Sequence, residues 1–170
     1  MNPLKKIATT DLCDQFENDI HAGLIHILPP VFQAYGQRVN FYGQAVTFKV
    51  FEDNTLIKKA LENDNGTGKV MVIDGGASVR CALVGGNIAK AGTSNGWEGI
   101  LVDSCVRDTG EINELNIGVR ALGAVPLRSL QKGAGEHDLG VHIQGVRVNP
   151  NDWIYVDADR VVISPKALHE

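Results

Sequence analysis

The apolar residues fall into two spacings along the chain. Val39, Phe41, Val46, Phe48 and Val50 supply the apolar positions of a strand over Arg38 to Phe51, with Gly43 expected as a bend or bulge. Asp53 and Asn54 are capping types, and Leu56, Ile57, Ala60 and Leu61 then recur at helical spacing until Asn65-Gly66 and Gly68 end the run. Lys69 to Ile73 is a short continuous apolar run, the kind that becomes a strand covered on both faces, and Gly99 to Cys105 is read as a second buried strand. Between them the pattern predicts a tight turn at Asp74-Gly75-Gly76, a short helix over Ser78 to Val84 and a break at Gly85-Gly86. Asn87 then caps a helix from Ile88 to about Ser94. Glu111 to Leu122 is expected as a helix and Val125 to Leu127 as a third short strand. Beyond residue 130 the pattern is strands and turns: 141–143, 146–148, 154–156 and 161–163, separated at Asn149 to Asp152 and Asp157 to Asp159. At the other end, Asp11 is placed to cap a short helix carrying Leu12 and Phe16, and His21 to Tyr35 is irregular around Pro29-Pro30. The class is α/β with a mixed sheet.

Composition narrows the function. The chain has 170 residues, 44% hydrophobic and 21% charged, which suits a single domain over residues 1–170. A formal net charge of −4 lacks the basic footprint of direct nucleic-acid binding. No apolar run approaches the roughly 18 residues of a membrane helix, and no apolar stretch follows Lys5 and Lys6, so a cytoplasmic protein without membrane contact is expected. Cys13, Cys81 and Cys105 are odd in number and lack C-x-x-C spacing, which argues against a disulfide framework or thiolate metal site.

The chemistry concentrates between Gly75 and Glu111. If the two buried strands are parallel neighbours, their carboxyl ends share a crevice, the usual ligand position in open α/β sheets. One wall would be Gly85, Gly86, Asn87 and Ile88, where glycines allow close approach and a helix start offers N–H groups to an anion. The other would carry Arg107, whose planar fork suits a carboxylate, and Asp108, which can hold a hard divalent cation. Glu111 could hold one of that cation's waters or simply start a helix. Taken alone, a surface ion pair and a plain Gly-Gly turn explain the same residues.

Across nearly its whole length the sequence resembles the RraA-like family, which includes the RraA regulators of ribonuclease activity and 4-hydroxy-4-methyl-2-oxoglutarate aldolases. The resemblance runs through Thr10-Asp11-Leu12-Cys13-Asp14, Phe51-Glu52-Asp53-Asn54, Val72-Ile73-Asp74-Gly75-Gly76, Asn95-Gly96-Trp97-Glu98-Gly99, Tyr155-Val156-Asp157 and Ile163-Ser164-Pro165. The aldolase branch is marked by a glycine, twenty residues, Arg-Asp, two residues and an acid; Gly86, Arg107, Asp108 and Glu111 fit it, and Gly123 and Pro126 fit the Gly-x-x-Pro that follows. The resemblance implies a three-layer β/β/α swivelling-type domain and a homotrimer with active sites between subunits. It also implies Mg²⁺- or Mn²⁺-dependent cleavage of 4-hydroxy-4-methyl-2-oxoglutarate to two pyruvates, with oxaloacetate decarboxylation as a side activity through the same pyruvate enolate. Residues 85–88 would bind substrate, Arg107 its carboxylate, and Asp108 the metal. Some aldolase members carry a further acid where this chain has Gly86 and Asn87, which leaves the proton-transfer group unassigned, with a metal-bound water the simplest candidate.

Other candidates carry less. Glu136, His137, Asp138 and His142 match no ligand spacing and read as a solvated loop, and His21 and His26 have no evident partners. Asp74 and Asp103 sit near strand ends, as second-layer acids or as turn and cap residues. Asp74-Gly75-Gly76 lacks the Gly-Lys-Ser/Thr of a phosphate loop, and Trp97 and Trp153 read as packing residues. The rival function is non-catalytic inhibition of ribonuclease E, as in similar family members. A methyltransferase is disfavoured by the lack of a nucleoside-cofactor fingerprint.

Overall fold

The computed structural model describes residues 5–170, so Met1 to Leu4, the start of the segment read for a leader, lie outside the described residues. Five helices and twelve strands follow in chain order: α1 (Thr9–Gln15), α2 (Glu17–His21), β1 (His26–Ile27), β2 (Gln33–Tyr35), β3 (Phe41–Lys49), α3 (Thr55–Asn63), β4 (Lys69–Asp74), β5 (Ala82–Val84), α4 (Gly86–Ser94), β6 (Gly99–Val106), α5 (Thr109–Ile112), β7 (Gly118–Ala124), β8 (Glu136–His137), β9 (Val141–Ile143), β10 (Val146–Val148), β11 (Trp153–Val156) and β12 (Val161–Ser164). The main sheet runs β1-β12-β11-β3-β4-β6-β7-β2, with β5 beside β6 and β8 beside β3. Its centre, β3-β4-β6-β7, is parallel, and the flanks are antiparallel. The mixed α/β sheet expected from the sequence is present.

Three layers follow from how the central strands divide their side chains. Met71, Ile73, Ile100, Val102, Val119 and Ala121 face one way, onto Ile57, Ala60 and Leu61 of α3 and Ile88 and Ala89 of α4. Val70, Val72 and Leu101 face the other, onto Val141, Ile143 and Val148 of the β9–β10 hairpin and Ile154, Val156, Val161 and Ile163. Both faces of β6 are thereby covered, and all eight of its residues are buried. A strand so placed has no solvent face, hence the apolar run Ile100 to Val102 and the burial even of Asp103 and Ser104.

Six local expectations are corrected. Ala82–Val84 is a strand paired parallel to β6 rather than part of a helix over 78–84, because its residues are wholly buried in the sheet. The helix expected over 111–122 stops at Ile112, and Gly118–Ala124 is the sheet strand β7. Gly118 there lies under the Phe41 ring, where an added Cβ would sit 2.2 Å from ring carbons. Gly43 is neither bend nor bulge: it pairs in register with Ile154, and its lack of a side chain admits the Gly68 carbonyl, 2.7 Å from where a Cβ would stand. Helix α4 begins at Gly86, with Gly85 rather than Asn87 at its N-cap. Residues 125–127 form no named strand; they are a connector with a bend at Pro126, and the Leu127 carbonyl accepts from Ala82 N at 2.8 Å. Asp11 lies in the first turn of α1, which Asp157 caps through Thr9 N at 2.6 Å and Thr9 Oγ1 at 2.7 Å. Among the described residues no helix is long and apolar enough to cross a membrane.

Leu61 is fully buried where α3 meets α4, and its Cδ2 lies 2.8 Å from where a Cβ on Gly92 would stand. Leu61→Ala is expected to cost about 2–5 kcal/mol, read as a lowered urea midpoint with an unchanged slope.

Candidate active site

The site grows out of one strand pair. β5 and β6 run parallel, with Val84 opposite Val106, and Arg107 N donates to Val84 O at 3.0 Å. The residues after each strand therefore leave the sheet side by side at its carboxyl edge. After Val84 come Gly85 and Gly86 and the first turn of α4; after Val106 come Arg107 and Asp108.

Asp108 ties the two together. Its Oδ2 accepts a hydrogen bond from Gly86 N at 3.1 Å and stands 4.0 Å from Arg107 Nε. It thus caps α4 from a neighbouring element, where a carboxylate also meets the positive end of the helix dipole. Its backbone is left-handed, with φ 56° and ψ 44°, a conformation Asp tolerates better than most residues. Such strained backbone is stored where surrounding structure over-determines it, commonly at functional sites. Glu111 closes the same corner, its Oε2 lying 2.1 Å from where a Cβ on Gly86 would be. Gly85 is equally constrained: a Cβ there would sit 3.1 Å from Asp108 Oδ2 and 3.4 Å from Arg107 Nε. Arg107 and Asp108 are roughly two-fifths exposed, open to a ligand yet fixed at their bases.

These residues line a cleft of about 220 Å³ with Gly85, Gly86, Asn87 and Ile88 on one side. The amides of Asn87 and Ile88 have no acceptor among the described residues. The Asp108 carboxylate has its Oδ1 free of protein hydrogen bonds, and Glu111 stands nearby. One carboxylate with a second in reach, the remaining positions being left to water, is the donor set a hard cation such as Mg²⁺ takes. No group of three or more His, Cys, Asp or Glu residues gathers anywhere among the described residues.

The far wall was not legible in the sequence. It consists of Asn54 and Lys58 from the start of α3 and of Arg128, Ser129 and Gln131. Hydrogen bonds hold it in place: Ser129 N to Ala82 O at 3.1 Å, Leu130 N to Glu52 O at 2.8 Å and Asn54 N to Leu130 O at 3.1 Å. Asp53, 2% exposed, anchors the loop beyond by accepting from Thr55 N and Oγ1, Lys132 N and Ala134 N. Burial alone would raise its pKa, but these hydrogen bonds win and hold the carboxyl below its ordinary value.

The remaining sequence candidates lie elsewhere. Asp74 accepts from Gly76 N and His142 N, and Asp103 from Gln144 N and Nε2, so the two acids tether the β9–β10 hairpin. Burial pushes the Asp103 carboxyl up. His137 pairs only with the adjacent Asp138, at 2.8 Å. All three cysteines are free thiols. A larger cavity, about 380 Å³, opens at the opposite ends of the parallel strands between Lys5, Lys6, Arg38 and Tyr155, and contains none of the expected site residues.

The family model RraA-like, described as Aldolase/RraA, matches residues 9–163. The chain belongs to the RraA-like family. A relative from Burkholderia mallei (strain SAVP1), provisionally named a 4-hydroxy-4-methyl-2-oxoglutarate aldolase, is 52% identical over 96% of this chain and 98% of its own. The solved RNA-processing inhibitor RraA from Thermus thermophilis is 38% identical, with a TM-score of 0.88 over 98% of this chain and 99% of that one. A Geobacillus kaustophilus HTA426 structure described as an S-adenosylmethionine:2-dimethylmenaquinone methyltransferase is 40% identical, with a TM-score of 0.87 over 95% and 97% of the two chains. The RraA-like fold is therefore shared along essentially the whole chain.

Removing the Asp53 carboxylate should expose its role in the wall. Asp53→Ala leaves part-buried amides unpaired, and a loss of about 1–3 kcal/mol is expected at neutral pH. Because the folded pKa is lowered, the stabilisation is fully present above the unfolded value of about 3.9 and is lost as pH falls through the lower folded value. Urea titrations should therefore show a constant gap between wild type and variant near neutrality that closes only below about pH 4.

Proposed function

We propose that this chain is a divalent-metal-dependent carbon–carbon lyase that cleaves 4-hydroxy-4-methyl-2-oxoglutarate to two pyruvates and, secondarily, decarboxylates oxaloacetate. The observation that carries the reading is the parallel register of Val84 with Val106, which sets the Gly85–Ile88 turn against Arg107 and Asp108 in one cleft. The provisional aldolase name of the 52% identical relative supports the substrate.

In this reading the guanidinium of Arg107 pairs with the substrate's 2-oxo-acid end through two parallel hydrogen bonds. The free amides of Asn87 and Ile88, at the positive end of α4, receive the same carboxylate. Asp108, with Glu111 reaching through water, would hold Mg²⁺ or Mn²⁺, which when bound supplies a Lewis acid at the keto oxygen. As the C3–C4 bond breaks, the C4 hydroxyl loses its proton and C4 becomes the keto carbon of one pyruvate. The bonding pair moves into the C2–C3 fragment as an enolate, and protonation at C3 gives the second pyruvate. Arg107 would stabilise the oxygen on which that charge develops. Oxaloacetate yields the same enolate by losing carbon dioxide instead.

A second reading has its own support in the 38% identity to the solved RNA-processing inhibitor: action as a protein regulator of ribonuclease E. Assembly of copies, as a trimer, belongs to both. Phe51, Val79, Leu127 and Leu130 are all more than half exposed on segments hydrogen-bonded to one another beside the cleft, an apolar surface suited to burial between chains. Sedimentation of the purified protein is expected to show three 18.3 kDa chains, and a monomer at micromolar concentration would refute that assembly.

Pyruvate release from either substrate is expected well above the spontaneous and metal-only rates, and to vanish with EDTA. Arg107→Lys keeps the charge but loses the fork, and Asp108→Asn keeps an acceptor for Gly86 N but loses the carboxylate. Each should lower kcat on the order of 10²–10³-fold without unfolding the chain. Wild-type rates no higher than metal alone would overturn the lyase and leave the regulator.

A further inference from the structure

The cavity of about 380 Å³ at the far ends of the parallel strands has no part in the lyase reading, and its size is that of a small-molecule pocket. Its walls come from separate stretches: the chain before α1, the turn between β2 and β3 with the start of β3, Asn116 ahead of β7, and Tyr155 and Val156 of β11. The chain before α1 is held in place by Asn40 Nδ2, which donates to Ile7 O at 3.4 Å, and by the bonds from Thr9 to Asp157.

The sign of this lining is opposite to that of the molecule. The chain carries a formal net charge of −4, yet Lys5, Lys6 and Arg38 line the cavity and no acidic side chain does. Arg38 is paired with Glu98 at 2.6 Å, whereas Lys5 and Lys6 have no ion-pair partner among the described residues. A fourth cation lies behind the lining. Arg120 is 5% exposed, and its Nη1 and Nη2 donate to the carbonyls of Val119 and Val39 at 3.1 and 2.9 Å. Its guanidinium stands 5.5 Å from the centre of the Phe41 ring, and Val39 and Phe41 both line the cavity. No carboxylate pairs with Arg120 among the described residues. Asp157, the acid whose charge it feels, has its oxygens engaged by Thr9 and by the amides of Asp159 and Arg160. A buried charge without a counter-ion is costly, and an anion in the adjoining cavity would offset part of that cost.

The rest of the lining describes the body of the ligand. Val39 is half exposed and Ile7 and Tyr42 partly so, an apolar surface fit for a flat ring. Gln37, Asn40 and Asn116 bring carboxamides, which both donate and accept and so suit the edge of a heterocycle. Lysines are compact point charges of the kind that bind phosphate.

We propose that this cavity is a binding site for a small organic phosphate joined to a flat heterocyclic ring, the chemistry of a nucleoside monophosphate. Lys5 and Lys6 neutralise the phosphate, and Arg120 adds its field from behind the lining. The ring lies on Val39 and Tyr42 with its edge toward the carboxamides. The site is separate from the Arg107–Asp108 cleft and stands whether or not the chain is a lyase.

The test titrates the purified full chain calorimetrically with adenosine monophosphate, adenosine and inorganic phosphate. The monophosphate is expected to bind with a Kd below about 1 mM, and adenosine and phosphate each at least about tenfold more weakly. Lys5→Gln/Lys6→Gln changes two exposed positions and should weaken the monophosphate about tenfold, the scale of a lost charge-assisted contact, while leaving adenosine unchanged. Val39→Asp, at a half-exposed position, sets a carboxylate beside the phosphate and should abolish binding of the monophosphate. Arg107→Lys should bind it as the wild type does. No binding of the monophosphate, inorganic phosphate bound as tightly as the monophosphate, an affinity that survives the double lysine substitution, or one lost in Arg107→Lys would each overturn the site.

Discussion

The site depends on a three-residue strand. β5 pairs with β6 only from Ala82 to Val84, beyond the point where β4 has left the sheet. That late pairing brings a glycine turn and an Arg-Asp pair to one edge although twenty residues of helix, turn and strand separate Gly86 from Arg107. Backbone hydrogen bonding sets the register, so no side chain in the cleft has to be spent on holding it. The side chains at the edge are left free for a ligand, with the one exception of Asp108.

Asp108 serves the fold and the cleft at once. One of its oxygens caps α4 through Gly86 N while the other stays open. The left-handed backbone is the condition for this: it turns the chain sharply after β6, so that the carboxylate points back toward α4 and a new helical turn begins at Thr109. Gly86 is the matching condition on the other side, since any side chain there would strike Glu111. The glycine, the arginine, the aspartate and the later acid are thus linked by contact, which gives their fixed spacing a mechanical reason as well as a chemical one.

Much of this was legible in the sequence, and the failures share a cause. The buried strands β4 and β6, the helix α3 and the β-rich close were visible because their apolar runs are continuous or cleanly periodic. β5 was hidden because it is only three residues long and a run that short has no period to separate strand from helix; β7 was hidden because Gly118, Arg120 and Gly123 interrupt its apolar positions. The near wall of the cleft was found because glycine, arginine and aspartate in that order have specific chemistry. The far wall was not, because Asn54, Lys58, Arg128 and Ser129 come from two segments some seventy residues apart that meet through long-range bonds such as those of Asp53 and Leu130 and the bridge to Ala82.

That meeting has an energetic consequence for the cleft. Asp53 collects bonds from both segments and is buried with its charge satisfied. Its neighbour Asn54 and the nearby Ser129 are buried with one atom each left over. A fold optimised for its own stability would place apolar groups where such atoms lie, since an apolar replacement leaves nothing unpaired. The same short stretch thus holds a fully satisfied acid that fixes the wall and unsatisfied atoms that gain nothing from the wall itself. The wall's rigidity rests on the acid, which is locked in place before any ligand arrives, and the two unpaired atoms beside it are a cost the fold carries.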